Sequence, residues 1–516
     1  MDIKGAINRF IGSKQTTPAQ AQAPAALSGV ESRTKPLSTQ QISYMFCKIN
    51  ELKTAEYLVL FSEELNVSDS VVLEGIKRMT DEMCSDLTCC VEYPYIDEVY
   101  RDTYYHFYSR KHGNHGRYCF RVSFFKPVVN GDNFYEEAND ETYLGYMVLR
   151  PTPRRVIGYS FLSPFVYNDH RFSICMCKRP SSIMGKMMNV TGFPFCGQDG
   201  EMCTCAETSI VVALDYFSRR YNRYHRVLPS DVANYNTDNV FQMLQPSTGI
   251  DIDGMVRSFN SMGMTTRKFQ CKDEDNPEVD NQTVFEEKEF QRLLHSYIES
   301  GFPLLVSEGE HAYLVIGREN RLFPLSPRLI TINDNERPYA LCDDEKKIIT
   351  FIVPQSDNIL LDAHKIDVTK VLADFQDVYK NVDFGVNDTD YYNRVLLTTS
   401  RSFKNYIVKS SLDRHDKDLI VCTAMPRFIW ICESIKQDEL KEDISKIKVS
   451  VTTILDATEY AYGHSHLLMV MGTGQLIVPQ EDEKRSNHRI YVIYESHGTL
   501  HPFNNNLKGG HTLWQI

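Results

Sequence analysis

The residues whose types and spacing could do chemistry lie in one stretch, Gly197-Gln198-Asp199-Gly200-Glu201-Met202-Cys203-Thr204-Cys205-Ala206-Glu207-Thr208-Ser209-Ile210, where a glutamine in a glycine-flanked loop precedes a cysteine that opens an apolar run. A thiol is only a few per cent thiolate at neutral pH. The positive end of a helix dipole and an imidazolium partner both favour the thiolate, so a cysteine at a helix start calls for a histidine elsewhere in the chain. Residues 300–317 read as two short apolar strands with His311 at the start of the second. Downstream, Leu329-Ile330-Thr331-Ile332-Asn333-Asp334-Asn335 is a β-branched strand that ends on an acid, followed by Arg337-Pro338-Tyr339. Gln, Cys, His and Asp in that chain order are the parts of an acyl-transfer site: a thiolate attacks a carbonyl, an imidazole moves the proton, a carboxylate orients the ring and an amide holds the oxyanion.

With these residues the chain resembles the papain-like cysteine peptidases, most closely the bacteriocin-processing branch that cleaves after a double-glycine leader. That branch has a glutamine ahead of Cys-x-x-Ala at a helix start, a histidine heading an apolar strand that ends in glycine, and an aspartate at the end of the next strand. The resemblance covers about the middle third of the chain. It implies that Cys203 is the nucleophile, with Ala206 three residues on, that His311 is the general base and acid, that Asp334 orients the imidazole and that Gln198 completes the oxyanion hole. It implies no cofactor. Thr204 stands where the family has Gly or Trp, and the step from Gln198 to Cys203 is one residue short, so Cys205 is a competing nucleophile. Asn333 competes with Asp334 in the same way. An asparagine fills the orienting role in papain, and successive strand residues face opposite sides, so only one of the two points at His311.

The elements that must position these groups are legible around them. A helix over 203–219 carries Ile210, Val211, Ala213, Leu214 and Phe217 on its apolar side, the spacing of a helix buried against a sheet. Two more helical patterns, 251–261 and 285–300, precede strands that begin at Pro303. The expected fold is α+β: a papain-like peptidase domain over 166–353, an N-terminal α/β domain over 38–165 and a β-rich C-terminal domain over 354–516. Within the N-terminal domain the pattern predicts helices over 41–61 and 67–83 and strands over 118–125 and 143–151. Arg150 ends the last of these as a structural partner. Tyr104 to His112 reads as a packed helix-to-loop region. Residues 1–37 read as a short helix with Ile3, Ala6, Ile7 and Phe10 on one face, offered as a docking peptide, and a linker rich in Gln, Ala, Thr, Ser and Pro.

Composition narrows the partners. At 42% hydrophobic and 24% charged residues the chain has ample core for several domains, and a net charge of -12 argues against nucleic acid or an anionic membrane, leaving a protein or peptide substrate. No apolar run reaches the roughly 18 to 20 residues of a membrane span, which points to a cytoplasmic protein. Fourteen cysteines without a regular framework read as reduced thiols. Gly463-His464-Ser465-His466 places two imidazoles on one strand face with no third metal ligand beside them. Phosphate-binding glycine loops, His-Glu-x-x-His and the serine-hydrolase elbow are missing, so cysteine chemistry stands alone. Two other readings use the same residues: a non-catalytic interaction scaffold that keeps the peptidase fold, and a thiol acyltransferase, transglutaminase or deamidase.

Overall fold

The computed structural model describes residues 42–509 except 114, 170, 236–248, 273–282, 321–326, 356–357, 373–390, 441–445, 461–464, 473 and 482–488. The N-terminal helix and linker expected within 1–37 lie outside the described residues. Helices and antiparallel sheets make the chain α+β. It divides into two compact units: one of residues up to Asn168 with Lys178–Met202 and Leu228–Ser230, the other of Asp169–Cys177, Cys203–Val227 and the chain from Asp231 on.

In the first unit a seven-stranded sheet runs in the order β1-β2-β3-β4-β5-β8-β7, with β1 Ser43–Lys48, β2 Thr88–Tyr95, β3 Cys119–Phe125, β4 Tyr143–Leu149, β5 Tyr159–Leu162, β7 Cys177–Ile183 and β8 Lys186–Cys196. The pairings from β1 through β5 to β8 are antiparallel. The expected α/β arrangement is therefore corrected to α+β, because strands adjacent in sequence pair directly and no helix has to return the chain to a parallel neighbour. The helix expected over 41–61 is corrected as well. Met45 and Cys47 alternate into the core against Val91 and Cys89, so this part of the segment is strand β1, and helix α1 (Ala55–Leu65) begins only after a short 3-10 turn. Helices α2 (Asp69–Thr80), α3 (Glu98–His106) and α4 (Phe134–Glu137) follow, and the unit takes in β8, beyond the boundary expected at 165. Turn residues Met184 and Gly185, at φ 49° and 80°, join β7 to β8.

The second unit starts from α5 (Cys205–Arg220), followed along the chain by α6 (Pro229–Tyr235), α7 (Ile252–Ser261) and α8 (Glu287–Glu299). From Ala206 to Phe217 every residue of α5 is buried, and fully buried Asp215 accepts from Arg219 at 2.9 Å and pairs with Arg226 at 3.1 Å. The helix lies across a sheet ordered β10-β9-β15-β11-β12-β13-β14: β9 Thr265–Cys271, β10 Val284–Phe285, β11 Leu304–Ser307, β12 Ala312–Glu319, β13 Leu329–Ile332, β14 Ala340–Leu341 and β15 Thr350–Gln355. Only the β9–β10 contact in it is parallel among the described pairings. Strand β6 (Phe172–Ile174) pairs with the far end of β12, and β22 (Lys508–Gly509) pairs with β6. Gly317 permits the first of these contacts, since a Cβ there would collide with the Ser173 carbonyl oxygen.

Six further strands, β16 Tyr391–Thr399, β17 Phe428–Lys436, β18 Val451–Asp456, β19 His466–Met471, β20 Gln475–Glu481 and β21 Arg489–Glu495, form an antiparallel sheet in sequence order, with α9 (Ser400–Lys409) and α10 (Arg414–Cys422) packed against it. The boundary expected at 353/354 does not divide the core. One apolar cluster runs from Phe269 and Tyr297 through Phe351 to Trp430 and Ile477, and the Trp430 indole donates to the Leu361 carbonyl at 2.8 Å.

A buried charge network reinforces the same junction. Glu299, at the end of α8, accepts from Arg318 of β12 and from Arg394 of β16, and Arg394 also donates to Glu433 of β17 at 2.9 Å and to the Phe503 carbonyl at 2.8 Å. Burial alone would raise the Glu299 carboxyl, but the two guanidiniums outweigh it and hold it at about 2, against an ordinary 4.5. A depressed folded-state value contributes stability that is present above 4.5 and lost as pH falls through about 2. Thermal unfolding between pH 5 and 2 is therefore expected to lose part of its acid sensitivity in Glu299→Gln. Arg394→Met, which strips two buried carboxylates of a partner, is expected to cost about 3–5 kcal/mol in urea unfolding at neutral pH.

Candidate functional site

The first turn of α5 sets the position of the thiols. Thr204 is the N-cap, with extended backbone at φ -91° and ψ -174°, and Glu207 closes a capping box by accepting from the Thr204 N–H at 3.2 Å and from its hydroxyl. Thr208 adds hydrogen bonds from its hydroxyl to the Thr204 and Cys205 carbonyls, both at 3.0 Å. Cys205 is thus the first helical residue, half-buried, with a backbone N–H that has no partner one turn earlier in its own helix. Cys203 precedes the helix and is 3% exposed.

His311 stands at the end of the loop that joins β11 to β12. The two strands pair from Leu304↔Val315 to Ser307↔Ala312, and the loop closes through a Glu308 N–H to His311 carbonyl bond at 3.0 Å, with Gly309 at φ +97° making the reversal. The imidazole is about a quarter exposed, its side chain retaining 26% of its surface. Nε2 lies 2.9 Å from Asn333 Oδ1, 3.4 Å from Asn335 Nδ2 and 3.9 Å from Asp334 Oδ1. The ring also shares a hydrogen bond with Cys205, the largest of the influences that push the His311 pKa up to about 9. Burial opposes the rise, while the Asn333 hydrogen bond and the Asp334 charge add to it.

Asn333 follows β13 directly, and its orientation is fixed by more than the imidazole. Its Oδ1 also accepts from the Asn335 N–H at 3.0 Å, a local turn that fixes the amide with its oxygen toward the ring. Buried Asp334, at 3.9 Å, is too far from Nε2 to accept a hydrogen bond and acts on the ring through its charge.

Of the residues expected from the motif, the second unit therefore assembles Cys205, His311 and Asn333 in hydrogen-bonding sequence, with Asp334 alongside. The helix start and the hydrogen bond to His311 both fall on Cys205, the competing candidate, and the orienting hydrogen bond falls on Asn333. The signal for the thiol was present in the sequence: Thr204-Cys205-Ala206-Glu207 is a capping box, and it places the first helical residue at 205. Gln198 lies in the first unit, half-buried, beside Gly197, whose carbonyl accepts from the buried Arg150 guanidinium at 2.8 Å. Arg150, expected as a structural ion-pair partner, donates here to a carbonyl. His466 is buried in β19, His464 lies outside the described residues, and no group of three potential metal ligands occurs among the described residues. None of the fourteen cysteines is in a disulfide. No helix among the described residues is long and apolar enough to cross a membrane.

No family model, curated protein or solved structure matches the chain.

The hydrogen bonds give a test that needs no substrate. Removing the thiol partner is expected to return His311 toward 6.5, so an NMR titration of its ring should move to lower pH in Cys205→Ala and stay in place in Cys203→Ala. Asn333→Ala should lower the midpoint by loss of an acceptor, and Asp334→Asn should lower it by loss of a charge. A shift in Cys203→Ala alone would return the thiol role to Cys203.

Proposed function

We propose that the protein is a papain-like cysteine peptidase or isopeptidase in which Cys205 is the nucleophile, His311 the acid and base, and Asn333 the residue that orients the ring. The observation that carries this reading is the hydrogen-bonded sequence from Cys205 through His311 to Asn333, with the thiol on the first turn of a buried helix. A helix start favours negative charge, and an imidazole that stays protonated to about pH 9 is an imidazolium throughout the neutral range, the partner a thiolate requires.

In this mechanism the Cys205 thiolate attacks the carbonyl carbon of a peptide or isopeptide bond. The developing oxyanion accepts from the Cys205 backbone N–H. The His311 imidazolium protonates the leaving amine as the thioester forms. The neutral imidazole then takes a proton from water, and the hydroxide formed resolves the thioester and restores the thiolate. Asn333 keeps Nε2 occupied, so that Nδ1 handles the proton. A net-acidic chain and the absence of a nucleotide-binding motif support a protein or peptide substrate.

A proteome-derived peptide library, read by mass spectrometry for new amino termini, tests the reading. Cleavage is expected with the wild type and with Cys203→Ala and absent with Cys205→Ala. The rate should fall as pH rises through about 9, where His311 loses its proton, and in Asn333→Ala this alkaline limb should move to lower pH. Equal cleavage by wild type and Cys205→Ala would overturn the assignment.

A further inference from the structure

We propose that Tyr313 is a positioning residue for His311, its hydroxyl tying the hairpin that carries the imidazole to the hairpin that carries Asn333. The inference rests on the roles given above to Cys205, His311 and Asn333, and it concerns how the ring is held. Tyr313 follows His311 by two residues, and the two rings lie 5.7 Å apart at 31°. The phenol is 3% exposed. Its hydroxyl donates to Glu308 Oε1 at 2.7 Å, reaching back across the loop in which His311 sits, and it lies 3.8 Å from Cys342 Sγ. Cys342 follows β14, whose hairpin with β13 carries Asn333 in its loop, and the Cys342 N–H donates to the Leu329 carbonyl at 2.8 Å.

One hydroxyl thus joins both ends of the Asn333 to His311 contact. The backbone bond from Glu308 to His311 closes the loop but leaves the imidazole free to turn about its side-chain bonds. The clamp from Tyr313 to Glu308 puts a buried aromatic face against the ring and fixes the loop beside it. Burial, then the bond to Glu308, pushes the phenol far above its ordinary value, so it stays a donor over the working pH range. Tyr313→Phe keeps the ring in the core and deletes only the clamp, which separates this role from packing.

The test uses the full chain with two readouts: the NMR titration of His311, and the pH profile of alkylation at Cys205 by iodoacetamide. In Tyr313→Phe the His311 midpoint is expected to fall by roughly one pH unit, and the imidazolium-dependent inflection of the alkylation profile to move down with it. Glu308→Gln still offers an oxygen to the hydroxyl and should match the wild type. Glu308→Ala should lower the midpoint in the same direction, and adding it to Tyr313→Phe should change nothing further, because the hydroxyl that Glu308 accepts from is already gone. An unchanged midpoint and profile in folded Tyr313→Phe would overturn the proposal, as would a Glu308→Gln that behaves like Glu308→Ala, which would assign the effect to charge. If Tyr313→Phe fails to fold, Glu308→Ala alone decides. The peptidase reading fails separately: peptide cleavage that survives in Cys205→Ala sinks it, while a shifted His311 midpoint in Tyr313→Phe would still establish how the ring is held.

Discussion

Glu299 accepts from two guanidiniums in the interior of the second unit, and much of that unit depends on the match. Isolated, a carboxylate or a guanidinium in such a place would cost several kcal/mol of desolvation; two of each, hydrogen-bonded to one another and to the Phe503 carbonyl, satisfy the charges mutually. The partners come from α8, β12, β16 and β17, so the network fixes the helix against strands of two sheets at once. The C-terminal segment is drawn in with them: the Asn506 amide donates to the Glu299 and Leu397 carbonyls at 3.1 and 2.8 Å, and two residues later the chain pairs with β6 as β22. Arg318 sits near the end of β12, and His311 immediately precedes the strand's start, about 23 Å away at the rise of an extended chain. Anchoring one end of β12 in the charge network makes it a rigid support for the imidazole at the other.

The proposed site is built from backbone terminations. A capping box starts α5 at Cys205, a four-residue loop ends at His311, and a local asparagine turn follows β13 at Asn333. Each device satisfies backbone groups that would otherwise be orphaned where an element begins or ends, and each fixes one side chain as a consequence. A first-turn thiol also meets helix N–H groups without in-helix partners, which a mid-helix thiol would not. The reactive groups therefore stand on elements whose interiors are apolar and close-packed, while the groups themselves stay partly open to solvent.

How much of this was legible follows from the range of the interactions. The helix over 203–219 and the strands around His311 and Asn333 were readable because local periodicity and turn chemistry determine them. The helix start at Cys205 was encoded locally, in the capping box of Thr204 and Glu207, two residues beyond the cysteine that the resemblance to Cys-x-x-Ala singles out. Strand alternation narrowed the hydrogen-bond partner of the ring to Asn333 or Asp334, and only the tertiary distances, 2.9 Å against 3.9 Å, separate them. Strand β1 was misread because Ile42, Met45, Phe46 and Ile49 also fit a helical period, and only pairing with β2 decides for the strand. The four-charge network was out of reach: its members are separated by 19 to 95 residues where they bond, and nothing local to any of them marks it as buried.

The arrangement around His311 divides between two residues what a single carboxylate does in many triads. A carboxylate at hydrogen-bonding distance both orients the ring and stabilises its charge, whereas here Asn333 supplies the direction at 2.9 Å and Asp334 the charge at 3.9 Å. The neutral amide oxygen accepts the Nε2 hydrogen without competing for the proton, so the ring cannot hand it away in that direction. The buried carboxylate raises the affinity of the ring for a proton from outside the hydrogen-bonded line. Together with the thiol, this keeps the imidazole charged up to about pH 9 in spite of its burial. In the proposed mechanism that division keeps the proton on the side of the ring that faces the sulfur until the leaving group takes it.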